Sequence, residues 1–268
     1  MISEKFTDKA IMWGAAAAVL VAAGVMYWFY GRPHQEVPVP EPLVGSTPAA
    51  APTSSAPAIE HPVPAASAPA PLPALNDSDQ AFHDALTVLP GSEAAEKLLV
   101  PEQLIRRIVG TVDNLPKKRV AVEQRPLKPT SGQFITATSG DKLTIAPENY
   151  ARYRPFVELV QSTDVHRLAG AYFHFYPLFQ QAYDDLGYGS GYFNDRVVAL
   201  IDHLLATPDV QGPVELVQPN VMYLYADPAL ESLSPGQKTL IRMGPENEVI
   251  LKRKLTELRA ALAGHEHP

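Results

Sequence analysis

The sequence predicts a mainly α-helical compact domain with one or two short β-hairpins, preceded by a single transmembrane helix and a disordered linker rich in proline and alanine. Three observations lead to this prediction. Residues 10–30 carry no charge, residues 31–75 hold 12 of the 27 prolines, and residues 76–264 combine helical apolar periodicity with short strand-like runs. A short N-terminus, residues 1–9, and a tail, residues 265–268, complete the layout.

The composition excludes several classes of protein. The chain has 268 residues, a net charge of −7 and no cysteine, so it holds neither a disulfide nor a cysteine-ligated metal. An acidic pI of about 5.6 argues against nucleic-acid binding. The sequence lacks the standard nucleophile, zinc, phosphate-loop and dinucleotide motifs. We therefore expect no cofactor and no metal, and the spacing of residues marks no catalytic group.

Residues 10–30 predict a membrane-spanning helix. A span needs about 20 apolar residues, and this stretch carries Trp13 near one end and the aromatic run Tyr27–Tyr30 at the other, as in interfacial belts. A cleaved signal peptide is the alternative, although its apolar core is shorter, about 7–15 residues. Lys5 and Lys9 before the span predict a cytoplasmic N-terminus. The expected localisation is the inner membrane, single-pass, with the C-terminal domain in the periplasm.

The linker, residues 31–75, is expected to be disordered. It contains 12 prolines, 10 alanines and only four charged residues, so it cannot bury enough apolar surface to offset the entropy of ordering. The prolines favour an extended polyproline II conformation. A passive spacer is the simpler interpretation, and a docking motif around Pro69–Pro71 is the alternative.

Apolar periodicity and capping residues predict the helices of the domain, residues 76–264. Pro177 lies inside one of them and is expected to kink or split it. The leucine stripe of the last helix is more typical of core packing than of a coiled coil. The predicted helices begin at Asn76–Asp79, Ser92 and Pro101, or span residues 149–161, 164–186, 192–206, 235–243 and 246–263. The predicted strands are Gln133–Thr138, Lys142–Ala146, Val214–Val217 and Val221–Tyr225.

Charge is unevenly distributed along the domain. Seven basic and two acidic residues lie between positions 106 and 128, whereas the rest of the domain is strongly acidic. A solvated loop explains this pattern, and a patch for an anionic surface such as lipid headgroups or cell-wall polymer is the alternative. The candidate patch residues are Arg106, Arg107, Lys117, Lys118 and Arg119.

Residues 183–196 concentrate tyrosine, aspartate and asparagine between two predicted helices. Tyrosine combines an apolar ring with a hydroxyl and suits recognition surfaces. The alternative is that these tyrosines bridge core and surface while the aspartates cap helices. Adjacent Asp195 and Arg196 form a candidate ion pair. The candidate ligand-binding residues are Tyr172, Tyr176, Tyr183, Tyr192, Asn194, Asp195 and Arg196.

Histidine and glycine provide weaker signals. His166 and His174 are eight residues apart, nearly on one helix face, but a metal site there needs further ligands. Gly187, Gly189 and Gly191 follow a predicted helix, so they indicate a helix stop rather than a phosphate-binding loop.

Three long blocks carry a resemblance to a known family: residues 104–116, 176–208 and 225–247. They resemble a proteobacterial membrane-anchored envelope family known only as domain of unknown function three thousand and fourteen. The resemblance covers about residues 75–263 and includes the layout of a single span followed by a proline-rich linker. It implies an envelope location and brings no activity, cofactor or catalytic residue.

Two hypotheses about function follow. The first is a non-enzymatic, inner-membrane-anchored periplasmic binding or scaffold module of the cell envelope. Its partners would be the membrane, through residues 10–30, and an envelope protein or cell-wall polymer, without nucleic acid. The second is an enzyme acting on such a polymer, with Asp184, Asp185 or Asp195 as acid and base.

Overall fold

The structure, a computed structural model, describes residues 58–64, 71–87, 96–117, 125–130, 132–187 and 191–263. The predicted membrane span, residues 10–30, lies outside these ranges, as do the tail and Ser92, the expected cap of a short helix; residues 96–98, which follow it, are helical. Within the described ranges, no helix combines the length and the hydropathy that crossing a bilayer requires.

The described part of the chain is mainly helical, which confirms the predicted fold class at that level. A 3-10 turn, Leu75–Asp77, precedes the first helix. The helices are α1 Asp79–Thr87, α2 Leu104–Asn114, α3 Glu148–Ala151, α4 Arg154–Ser162, α5 Val165–Asp184, α6 Phe193–Leu205, α7 Pro228–Glu231, α8 Pro235–Met243 and α9 Pro245–Leu262. A capping box is present at the start of α8, with the side chains of Ser234 and Gln237 accepting each other's backbone N–H groups.

The two predicted hairpins form a single antiparallel sheet in the order β1-β2-β3-β4. Its strands are β1 Thr136–Ser139, β2 Lys142–Ile145, β3 Glu215–Val217 and β4 Leu224–Tyr225. Leu143 of β2 pairs with Leu216 of β3. This pairing joins the two hairpins, although about 70 residues, mostly helical, separate them along the chain. The inner face of the sheet packs on α8 through Ile145, Leu216, Tyr225 and Ile241.

The start of α2 differs from the prediction. Pro101 does not open the helix, which begins at Leu104, after Gln103 adopts a left-handed backbone with φ of 52°. The carboxylate of Asp79 accepts the N–H groups of Gln103 and Leu104 at 2.6 and 2.9 Å. Asp79, one of the four residues Asn76–Asp79 expected to start and cap α1, is the first residue of α1 and caps α2, where it satisfies donors that a helix start leaves unpaired.

Helix α5 is not split at Pro177. A single helix of 20 residues runs from Val165 to Asp184, and the side chain of Asp164 caps its start. A proline inside a helix removes one hydrogen bond and costs about 3 kcal/mol. That cost is offset by packing, because Phe175, Tyr176, Leu178 and Phe179 around the proline are all buried.

Helix α5 is the centre of the helical part of the fold. It contacts α1, α2, α6 and α9. The leucine stripe of α9 packs in the core, as predicted: Leu262 is buried, and Leu255 and Leu258 pack against the cluster that Ala169 of α5 shares with α6. This arrangement places the end of α9 beside the beginning of α6.

Two parts of the predicted disordered linker belong to the fold. Leu75 is buried in the first core cluster, and Leu72 packs against the same cluster. Residues 58–64 form a non-helical segment, and their half-buried Val63 packs on this cluster as well. The composition of the linker is unsuitable for a core of its own, but these residues bury their apolar side chains against the domain.

Candidate functional site

Side chains of α5 meet the first residues of α6 in an aromatic and amide-rich contact. The rings of Tyr172 and Tyr176, one helical turn apart, lie edge to face with centroids 5.7 Å apart. Tyr192 lies against Tyr176, with a centroid distance of 5.4 Å. We name the group to which these rings belong the α5–α6 cluster, and its members are Tyr172, Tyr176, Gln180, Tyr192, Asn194 and Asp195.

Gln180 fixes the start of α6, where Tyr192 at the cap position gives no side-chain cap. Its side-chain oxygen accepts the N–H of Phe193 at 2.8 Å and the hydroxyl of Tyr176 at 3.0 Å. Its nitrogen donates to the carbonyl of Gly191 at 2.9 Å and to the carboxylate of Asp184 at 2.8 Å. Gln180 was not among the predicted site residues, although its four-residue spacing from both Tyr176 and Asp184 is a signal visible in the sequence.

Asn194 joins three segments of the chain and is fully buried. Its side-chain oxygen accepts the hydroxyl of Tyr172 at 3.2 Å. Its nitrogen donates to the carbonyl of Leu262 at the end of α9, at 3.1 Å, and to the carbonyl of His61 at 2.8 Å. A buried amide whose oxygen and nitrogen are both engaged is held in one orientation, which makes the cluster rigid.

Residues 58–64, which we name the strap, bend at Glu60 and His61 beside the carboxylate of Asp195. The N–H of Glu60 donates to one carboxylate oxygen at 3.1 Å, and the N–H of His61 donates to the other at 2.7 Å. Asp195 lies in the first turn of α6, where the helix dipole favours a negative charge. One carboxylate therefore holds two consecutive backbone donors.

The remaining hydrogen bonds of the strap also involve its backbone. The N–H of Val63 donates to the hydroxyl of Tyr192 at 2.9 Å. His61 and Val63 are half-buried, whereas Glu60, Pro62 and Pro64 are exposed. The strap thus turns alternate side chains toward the domain, and its prolines occupy positions whose nitrogen is not needed as a donor.

Two predicted site residues lie apart from this contact. Tyr183 is buried in the core against the ring of Phe193, at a centroid distance of 5.4 Å. Arg196 donates to the carbonyl of Asp113 in α2 at 2.7 Å. Asp195 and Arg196 therefore have separate partners, and the candidate ion pair between them is wrong.

The carboxylates considered for catalysis are engaged in structural contacts. Asp184 accepts from Gln180, Asp185 pairs with Arg106 at 2.7 Å, and Asp195 holds the strap. Within the described residues, no group of three or more His, Asp or Glu side chains is arranged to hold a metal ion.

The described residues of the candidate basic patch have partners inside the domain. Arg106 pairs with Asp185, and Lys117 pairs with Asp113 at 2.5 Å. Arg107 donates to the backbone carbonyl of Glu102 at 2.8 Å. Lys118 and Arg119 lie outside the described residues, so the patch stays a prediction.

Burial shifts the pKa values of two tyrosines of the cluster, Tyr172 and Tyr176. Loss of solvation raises the pKa of Tyr172, with smaller contributions from Tyr192 and Asp195. Loss of solvation, and then a hydrogen bond with Tyr192, raises the pKa of Tyr176. Both hydroxyls therefore stay neutral in the folded protein at pH values where an exposed tyrosine ionises.

We expect the free energy of unfolding to fall as the pH rises above about 10. The unfolded chain then releases these two protons while the folded chain keeps them, so each tyrosine lowers stability by about 1.4 kcal/mol per pH unit. Urea denaturation between about pH 9 and about pH 11 measures the slope. Tyr172→Phe should reduce that slope while costing about 1 kcal/mol near neutrality; an unchanged slope would contradict the assignment.

Comparison with known families gives a single result. The family model described as "Protein of unknown function (DUF3014)" matches residues 104–259, more than half of the chain. The matched range includes every member of the α5–α6 cluster and excludes the strap. No curated protein and no solved structure is matched.

Proposed function

This chain belongs to the family described as "Protein of unknown function (DUF3014)", and from that premise we propose that it is a non-enzymatic binding module of the cell envelope. Residues 10–30 tether it to the inner membrane, and its domain faces the periplasm. The α5–α6 cluster is the surface through which it binds an envelope partner.

The strap is the observation that supports this proposal. The side chains of Tyr192, Asn194 and Asp195 direct four polar atoms at one segment of chain. Gln180 and Tyr176 hold the backbone of α6 behind them, so the geometry is fixed before anything binds. Preorganised polar groups around an aromatic surface are typical of recognition sites.

The enzymatic alternative has less support. General acid and base catalysis on a glycan needs two carboxylates facing one bond. Asp184 and Asp185 instead contact Gln180 and Arg106, and Asp195 accepts two backbone N–H groups. These partners are those of structural carboxylates.

Site-specific photocrosslinking in intact cells tests the proposal. Ala199, which is exposed on α6 one turn after Asp195, is replaced by a benzophenone amino acid in the full chain. We expect discrete adducts with an envelope component. These adducts should be lost when Asp195→Asn is added, because an amide cannot accept from two neighbouring N–H groups with both of its atoms.

Val249 of α9 provides the matched control, since it is also an exposed position on a helix, at 67%. The same label there should give none of these adducts. Identical adducts from both positions, or none from position 199, would refute the proposal. Release of soluble fragments from purified sacculi, abolished by Asp195→Asn, would establish the enzymatic alternative instead.

A further inference from the structure

We propose that the α5–α6 cluster binds a proline-interrupted segment of a partner polypeptide and that the strap is its intramolecular competitor. The inference rests on the proposed function and deepens it, because it specifies the chemistry of the ligand and the control of the site. The inference follows from the atoms of the strap that form hydrogen bonds with the cluster.

Every hydrogen bond between the strap and the cluster uses the strap's main chain. The donors are the N–H groups of Glu60, His61 and Val63, and the acceptor is the carbonyl of His61. Backbone groups are common to all polypeptides, so a segment from another protein can make the same four bonds. A glycan has no pair of consecutive peptide N–H groups to offer to Asp195.

The strap also defines which sequences fit. Prolines at positions 62 and 64 are tolerated because neither nitrogen is used, and each proline disfavours helical backbone in the residue before it. A residue at position 63 needs both an N–H and an apolar side chain, since Val63 packs against the first core cluster. The ligand class is therefore a non-helical peptide with proline at alternate positions and an aliphatic residue between two prolines.

Competition follows from the covalent connection. Only six residues, 65–70, separate the strap from Pro71, where the described chain resumes toward α1. A short connection gives an effective concentration in the millimolar range. If the strap and a free peptide bind the cluster with the same Kd of about 100 µM, a strap at an effective concentration of about 1 mM weakens the apparent affinity for the free peptide roughly tenfold.

The strap is suited to release. It makes four hydrogen bonds and partly buries two side chains, against the entropy of ordering seven residues. These opposing contributions are similar in size, so a partner segment with a slightly better fit can displace it.

Fluorescence anisotropy with a labelled peptide of residues 58–64, blocked at both ends, tests this competition. The labelled peptide is titrated with three proteins. They are the unaltered full chain, the full chain with a Gly-Ser sequence of equal length in place of the strap, and the full chain with His61→Pro, which removes the N–H of residue 61. We expect the strap-replaced chain to bind about tenfold more tightly than the unaltered chain, with His61→Pro in between.

Two changes test the binding mode. N-methylation of the peptide at His61 and Asp195→Asn in the strap-replaced chain should each weaken binding by about tenfold or more. The matched control peptide carries Ile59→Ser and Glu60→Gln, and it should bind within about twofold, because both side chains are exposed.

Each remaining outcome overturns a distinct statement. If the unaltered and strap-replaced chains bind the peptide with equal affinity, competition is refuted. Competition is also refuted if the strap-replaced chain lacks a cooperative thermal transition, because the strap would then be part of the core. If the strap-replaced chain is folded but does not bind the peptide, peptide binding is refuted. Crosslinking from position 199 would still decide the proposed function, since it does not depend on the partner being a polypeptide.

Discussion

Replacing Gly244 by alanine is expected to lower the free energy of unfolding by about 3–5 kcal/mol. Gly244 ends α8 and precedes α9 with φ of 88° and ψ of 159°, a conformation that is essentially limited to glycine. An added Cβ would also lie 2.6, 2.7 and 2.8 Å from Cγ, Cδ1 and Cδ2 of the Tyr150 ring. Backbone strain and overpacking therefore act together.

Thermal and urea denaturation measure this effect, and a domain of this size should lose roughly 10 °C in Tm. The matched control is Gly170→Ala, in the middle of α5, where the position is exposed and an added Cβ meets nothing within 4 Å. That change should be neutral or stabilising by up to about 1 kcal/mol. Combining Gly244→Ala with Tyr150→Ala separates the strain from the clash, because only the clash is relieved; equal losses for both glycine variants would contradict the argument.

Replacing Asn194 by leucine is expected to lower the free energy of unfolding by about 3–4 kcal/mol. Leucine is similar in size, but it leaves the carbonyls of Leu262 and His61 without a donor and the hydroxyl of Tyr172 without an acceptor. Buried polar groups that lose their partners cost far more than the net value of the bonds they made.

A double-mutant cycle with Tyr172→Phe identifies one part of this cost. Because Tyr172 donates to Asn194, the two losses should be non-additive by about 1 kcal/mol. Asn114→Leu is the matched control, since its side chain donates to a single carbonyl of its own helix, that of Gly110, and its loss should be about 1 kcal/mol. Additive losses in the cycle, or equal losses at positions 114 and 194, would show that Asn194 does not join its partners.

Local signals in the sequence were sufficient for the strands and for most of the longer helices, but not for the short α7 or for the break between α3 and α4. The apolar stripe of α2, the capping box before α8 and the turn at Gly140 each depend on residues a few positions apart, so their physical causes are visible in one dimension. The predicted split at Pro177 was wrong for the opposite reason. Its cost is local, but the packing that offsets it comes from residues distributed over four other helices.

The candidate site was predicted only in part for the same reason. Clustering of tyrosine, asparagine and aspartate indicated Tyr192, Asn194 and Asp195, which the structure brings together with Tyr172 and Tyr176. Tyr183 and Arg196 have the same composition signal but face the core and α2. The strap was unpredictable, because its contacts use backbone atoms, and a proline-rich composition gives no information on where N–H groups find acceptors.

The partners of Asn194 are far apart along the chain: His61 lies 133 residues before it and Leu262 lies 68 residues after it. Closing loops of this length carries a larger entropy cost than forming the neighbouring helix pairs, so these contacts are expected late on the folding pathway. Bonds made after the transition state govern the rate of unfolding rather than the rate of folding. The bond from Asn194 to Leu262 at the end of α9 is therefore expected to slow the unfolding of the domain more than it speeds its folding.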